Sequence, residues 1–102
     1  MIETVVRKRI EILTDIALVK RVTDAIDSAE ITGWTVTPVT SGKGRDGHWR
    51  EERVMGTDKA FVLTVAPQEK ADVLAEALAP ILTSHSLLLM MWDVEVIRGE
   101  RF

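Results

Sequence analysis

The sequence contains no cysteine and no tyrosine. Without thiols it can form no disulfide, offer no thiolate to a metal and use no sulfur nucleophile. Histidine occurs only at His48 and His85, too few for an imidazole metal cluster, and neither belongs to a His-Glu or Asp-x-Asp pattern. Taken alone, each reads as an ordinary polar loop residue. Long hydrophobic runs are missing too. The longest, Leu87 to Trp92, is far short of a membrane span. Arg7, Lys8 and Arg9 interrupt the N-terminal apolar stretch where a signal peptide would need continuity. Positive charge is not in excess: 13 Lys and Arg against 16 Asp and Glu leave a formal charge of −3, which argues against general binding to nucleic acid. These absences fit a cytoplasmic protein in a reducing compartment, not embedded in a membrane and without a resident metal.

What is present divides into alternating and helical stretches. A chain of 102 residues is expected to form a single domain over residues 1–102, hiding roughly two thirds of its unfolded surface. That leaves little room for a deep private pocket, so a site shared between subunits is expected. Residues from about Thr4 to Leu13 alternate, with Val6, Lys8, Ile10 and Ile12 on one side and Val5, Arg7, Arg9, Glu11 and Leu13 on the other. Thr14 or Asp15 offers an N-cap to a helix whose stripe is Ile16, Val19, Val22/Thr23, Ile26 and Ala29. Gly33 is expected to close the connection after it. A second strand covers about Trp34 to Thr40, with Pro38 marking an edge or an irregularity. A third covers Lys59 to Val65. Pro67 then opens a helix with Ala71, Leu74, Ala75, Leu78, Ile81 and Leu82 on its stripe, and Pro80 is expected near its fraying end. The last strand runs from about Leu87 to Val96.

The order strand, helix, strand, strand, helix, strand predicts an α+β fold, the ferredoxin-like βαββαβ arrangement. Its four-stranded antiparallel sheet carries both helices on one face. The other face has no helix, so apolar residues there, some of Leu88, Met90 and Trp92 among them, need a partner subunit.

The connection between the second and third strands, residues 41–55, far exceeds the usual hairpin loop of about two to five residues. It holds Gly42, Lys43, Gly44, Arg45, Gly47 and His48 in close succession. Closely spaced glycines let backbone N–H groups turn inward around an anion, and Lys43 and Arg45 add charge to such a nest. Phosphate suits it; a solvated hairpin loop that is glycine-rich only because it turns fits these residues equally well. It is neither a Walker A loop nor a dinucleotide fingerprint, since no Gly-Lys-Ser/Thr and no helical pattern follows.

Two segments resemble a known family. Gly33-Trp34-Thr35-Val36-Thr37-Pro38-Val39 followed by Gly42-Lys43-Gly44-Arg45-Asp46-Gly47-His48 is similar to the start of the long T-loop of PII signalling proteins. Val96-Ile97-Arg98-Gly99-Glu100-Arg101 is similar to the close of that family's chains. The resemblance spans nearly the whole chain, from Val5 to Arg101, and is weak in the helices. Two departures accompany it. The T-loop tyrosine that classical members modify has no counterpart, and Thr83-Ser84-His85-Ser86 replaces a Gly-Asp-Gly-Lys phosphate loop. The short C-terminus and short T-loop look most like the carboxysome-associated PII-like class.

The resemblance implies a homotrimer that binds ADP or AMP between subunits, with ATP less favoured and bicarbonate as a second small-anion ligand. It implies a nucleotide site of Trp34, Thr35, Gly42, Lys43, Gly44, Arg45, Gly47, His48, Arg98 and Arg101, with Lys43, Arg45, Arg98 and Arg101 as anion candidates. Ligand would order the T-loop for a partner protein, a bicarbonate transporter or carboxysome component. This is a regulatory role, not an enzyme. Two alternatives stand beside it. One is a small ferredoxin-like enzyme or nucleotide hydrolase using His48 near Glu51 and Glu52; the other is a ligand-free docking trimer.

Overall fold

The computed structural model describes residues 2–44, 47–50, 58–85 and 87–97, with only the backbone of residues 44 and 47–50. In chain order the elements are β1 (Thr4–Asp15), a 3-10 turn (Ile16–Leu18), α1 (Val19–Ser28), β2 (Thr35–Val39), β3 (Ser41–Gly44), β4 (Gly47–Arg50), β5 (Lys59–Ala66), α2 (Gln68–Ser84) and β6 (Leu88–Ile97). Strands β2, β5, β1 and β6 form one four-stranded sheet in that order, every pair antiparallel. This is the ferredoxin-like order, with β3 and β4 added as a separate two-stranded ribbon.

β1 is central because it pairs on both sides, and its alternation sorts the two faces of the sheet. Ile10, Ile12 and Thr14 are fully buried beside Thr64, Val62 and Ala60 of β5. Onto this face α1 sets Val22 and Ile26 and α2 sets Ala71, Leu74, Leu78 and Ile81, which together make the core. On the opposite face the register aligns Leu13 with Phe61 and Leu88, Glu11 with Leu63 and Met90, and Arg9 with Val65 and Trp92. Neither helix covers these residues. Trp92 is 41% exposed and Leu88 50% exposed in the single chain, so the face is apolar and bare, as its lack of a helix predicts. An ionic pair interrupts it between Leu63 and Met90: Arg9 donates through Nε and Nη2 to Glu11 Oε2 at 3.1 and 2.9 Å, with its guanidinium carbon 5.5 Å from the Trp92 ring centroid.

Several local expectations need correction. The strand does not stop at Leu13 to give a cap at Thr14 or Asp15. It runs through Asp15, whose carboxylate lies 2.6 Å from Lys59 Nζ, and neither Asp15 nor Leu18 makes a side-chain cap. Ile16 therefore falls in the 3-10 turn and stays exposed. α2 does not fray at Pro80 but continues to Ser84. Pro80 is exposed, so the Glu76 carbonyl it cannot serve faces the wet side of the helix.

The end of α1 is also closed differently. Glu30, not Gly33, takes the left-handed conformation, at φ 59°. Its amide bonds Asp27 O at 3.0 Å and that of Ile31 bonds Ile26 O at 3.3 Å, the paired bonds of a Schellman motif. Lys70 Nζ donates to Glu30 O at 2.7 Å, tying the start of α2 to this corner. A side chain in the left-handed region costs about 1–2 kcal/mol that glycine avoids. Glu30→Gly should therefore raise stability by up to about 1 kcal/mol after the extra unfolded-state entropy of glycine is set against it, read as the shift in the urea midpoint.

Candidate functional site

The first group of expected site residues follows the α1 corner. Thr64, buried on β5, donates its hydroxyl to Gly33 O at 2.6 Å, and the Trp34 indole N–H donates to Asp27 Oδ1 of α1 at 3.1 Å. These two bonds pin the connection just before β2. Trp34 is 44% exposed and lies against α1 on the helix side. Thr35 pairs with Leu63, which places it on the bare face of the sheet, and it is exposed. Nothing lies within 4 Å of a Cβ built on Gly33, so that glycine is not required by packing.

The glycine-rich stretch is not an irregular loop. After a single residue, Thr40, the chain pairs again: Ser41 faces Arg50, Gly42 faces Trp49, Lys43 faces His48 and Gly44 faces Gly47. The sequence alone missed this ribbon, because glycines depress strand propensity and no apolar alternation marks it. The signal was there in the glycine symmetry about Arg45 and Asp46, which themselves lie outside the described residues. So do residues 51–57, and with them part of the stretch expected to be ordered by ligand.

Three features meet at one end of the sheet. Val39, at the root of the ribbon, pairs with Lys59, Lys59 pairs with Asp15, and Leu88 of β6 pairs with Leu13. The connection from α2 to β6 therefore lies at the same end of the sheet as the ribbon root, on the opposite edge. Here Thr83 Oγ1 and Ser84 Oγ both donate to Pro80 O, at 3.1 and 3.0 Å, and Ser84 Oγ lies 2.7 Å from His85 Nδ1. The amides of His85 and Leu87 are spent on Ile81 O and His85 O. A glycine loop at this place could turn its N–H groups toward a phosphate; here these two amides serve the chain itself.

The remaining expected residues go elsewhere. β6 ends at Ile97, which pairs with Thr4, at the far end of β1 from Asp15. Twelve residues of strand separate these ends, about 36 Å at roughly 3.3 Å per residue. Arg98 and Arg101 lie outside the described residues, but the strand that leads to them leaves the sheet opposite the ribbon. Among the described residues, no group of three or more His, Cys, Asp or Glu side chains is placed to hold a metal, and no helix is long and apolar enough to cross a membrane.

A ferredoxin-like sheet with one bare face and a glycine-rich ribbon issuing between its second and third strands defines a PII-like class of protein. The chain belongs to the family described as nitrogen regulatory protein P-II, whose model matches residues 7–101. Among solved structures, CPII, a nitrogen regulatory PII-like protein from Thiomonas intermedia K12 bound to ADP, AMP and bicarbonate, aligns with a TM-score of 0.91 at 27% identity. That alignment covers 100% of this chain and 98% of CPII. CPII bound to ADP and bicarbonate aligns with a TM-score of 0.88 at 28% identity, covering 100% and 99%. The GlnK–ATP complex of B. subtilis shares the fold alone, with a TM-score of 0.61 at 13% identity, covering 87% of this chain and 82% of that one. A search of curated protein sequences found no match.

Removing the Thr64 hydroxyl tests how firmly the entry to β2 is held. Thr64→Val keeps the shape but leaves Gly33 O without its 2.6 Å donor. We expect a loss of about 1 kcal/mol, measured by denaturant unfolding, together with faster amide exchange at Trp34 and Thr35.

Proposed function

We propose that the protein is a PII-like regulatory sensor, one PII-like domain over residues 1–102. It binds ADP or AMP in clefts between the subunits of a cytoplasmic homotrimer. Bicarbonate is its second ligand, and the T-loop, residues 41–55, reports the bound state to a partner protein, a bicarbonate transporter or carboxysome component. The observation that carries this reading is the separation along β1. The ribbon root and the strand leading to Arg98 and Arg101 leave the sheet at opposite ends, so a site using both groups takes them from neighbouring subunits. The bare apolar face supports the same conclusion, because assembly face to face removes it from water. The full-length likeness to CPII, a protein bound to ADP, AMP and bicarbonate, supplies the ligands.

In this reading Gly42, Gly44 and Gly47 shape the ribbon around the nucleotide, with Lys43, Arg45 and His48 near its phosphates. Arg98 and Arg101 reach the same phosphates from the adjoining subunit. Thr35 stands on the bare face, where a neighbour's ligand can meet it. Trp34, held by Asp27, borders the base rather than swinging freely. ATP is disfavoured, since the amides of His85 and Leu87 are already bonded and leave less to hold a third phosphate. No catalytic step is required. Ligand works by shifting the T-loop population that a partner reads.

Sedimentation velocity at micromolar concentration should show a trimer, and a stable monomer would overturn the shared cleft. Calorimetry with AMP, ADP, ATP and bicarbonate, singly and in pairs, should show ADP and AMP binding without release of inorganic phosphate. Arg101→Ala should weaken ADP by roughly ten- to a hundredfold, the scale of one charge-assisted hydrogen bond of about 1.5–3 kcal/mol, and AMP by less. Unchanged ADP affinity in both Arg98→Ala and Arg101→Ala would remove the C-terminal arginines from the site.

A further inference from the structure

The centre of the bare face carries charge that the single chain only half satisfies. Arg9 and Glu11 lie two residues apart on β1 and share that face, Arg9 between Val65 and Trp92, Glu11 between Leu63 and Met90. Arg7 and the Asp15–Lys59 pair stand on the same face nearer its ends. Both bonds that Arg9 gives the carboxylate, from Nε and Nη2, go to Oε2. Among the described residues nothing bonds Glu11 Oε1 or Arg9 Nη1. The two side chains are 38% and 23% exposed in the single chain, so water serves those atoms only while the face is bare. A guanidinium has five N–H donors and a carboxylate room for about four hydrogen bonds, and burying such atoms without partners is costly. An all-apolar cover would strand them. A cover that fits must bring a carboxylate to Arg9 and a cation to Glu11, spaced about 7 Å as alternate residues of a strand are. A second copy of this chain carries that pair at the centre of its own bare face, among the same apolar neighbours.

We propose that Arg9 and Glu11 are the selectivity key of assembly, and that the partner they fit is another copy of this chain. Each keeps its bond within the chain and turns its remaining capacity outward. Arg9 of one subunit donates to Oε1 of the partner subunit's Glu11, and the head-to-tail series closes as a ring. With its guanidinium carbon 5.5 Å from the Trp92 ring centroid, Arg9 is already positioned by its own chain. The inference rests on the trimer reading only for the number of subunits in the ring. A chain with apolar residues at 9 and 11, or with the charges exchanged, fits its own kind but not this one. A mixed interface would strand charges or set like against like. The pair selects the partner and adds little to the tightness of association.

The test mixes chains. Wild type is co-expressed in equal amount with a mass-tagged full chain carrying Arg9→Glu and Glu11→Arg together, and native mass spectrometry counts the mixed oligomers. Free mixing makes about three quarters of all trimers mixed. A tagged control, Arg21→Glu at an exposed position of α1, should reach that level. The exchanged pair should assemble with itself and lower the mixed fraction by about tenfold or more. A second variant, Arg9→Leu with Glu11→Leu, covers the case in which the exchanged chain does not assemble. It should form oligomers as readily as wild type by sedimentation, yet be depleted from mixtures with it. Mixing at the control level by the exchanged pair, or by the leucine pair where the exchanged chain stays monomeric, overturns the key. Failure of the leucine pair to assemble also overturns it, by making the charges necessary for association rather than for selection. The trimer reading fails separately. A monomeric wild type sinks both ideas, trimers that mix freely sink the key alone, and exclusion within an oligomer of another size leaves the key and refutes the trimer.

Discussion

Everything in this fold depends on one strand that is paired on both sides. β1 holds β5 along one edge and β6 along the other, and its strict alternation decides which residues enter the core. A slip by one residue would exchange Ile10 and Ile12 for Arg9 and Glu11 beneath the helices. No arrangement of α1 and α2 could accommodate those charges cheaply. The register is thus fixed by the cost of its alternatives, and it sets the place of every other element, including the root of the ribbon.

The same strand shows why the bare face is not simply a solvent face. Its partners there are Phe61, Leu63, Leu88, Met90 and Trp92, far more apolar than a wetted sheet surface needs. The Arg9–Glu11 pair in their midst is stacked near Trp92. Placed under a covering surface, such a pair stabilises little in itself but penalises any packing that separates its members. It favours one way of covering the face over others.

The alternation of β1 and β5, the two helical stripes and the bare face could be read from the sequence because each is a repeating pattern over many residues. What escaped was set by single contacts. Asp15 looked like a cap until Lys59 claimed it. Gly33 was expected to close the connection after the helix, yet the left-handed position is fixed by where α1 ends and falls on Glu30. Pro80 looked like an end because proline costs a hydrogen bond, but the carbonyl it frees is on the wet side. Of the expected site, the residue types around the ribbon were legible, and their pairing was not. Arg45, Arg98 and Arg101 lie outside the described residues, so their part rests on the sequence and on family likeness.

The corner from Glu30 to Trp34 is held three times over, by Lys70 on the Glu30 carbonyl, by Thr64 on the Gly33 carbonyl and by Asp27 on the Trp34 indole. Mechanically this makes the corner a fixed post. Two of the three ties end on the helix layer, at Asp27 of α1 and Lys70 of α2, and the third on β5 of the sheet. The residues that lead into β2 are therefore referenced to both layers at once, and the ribbon that follows inherits its starting point from helices and sheet together.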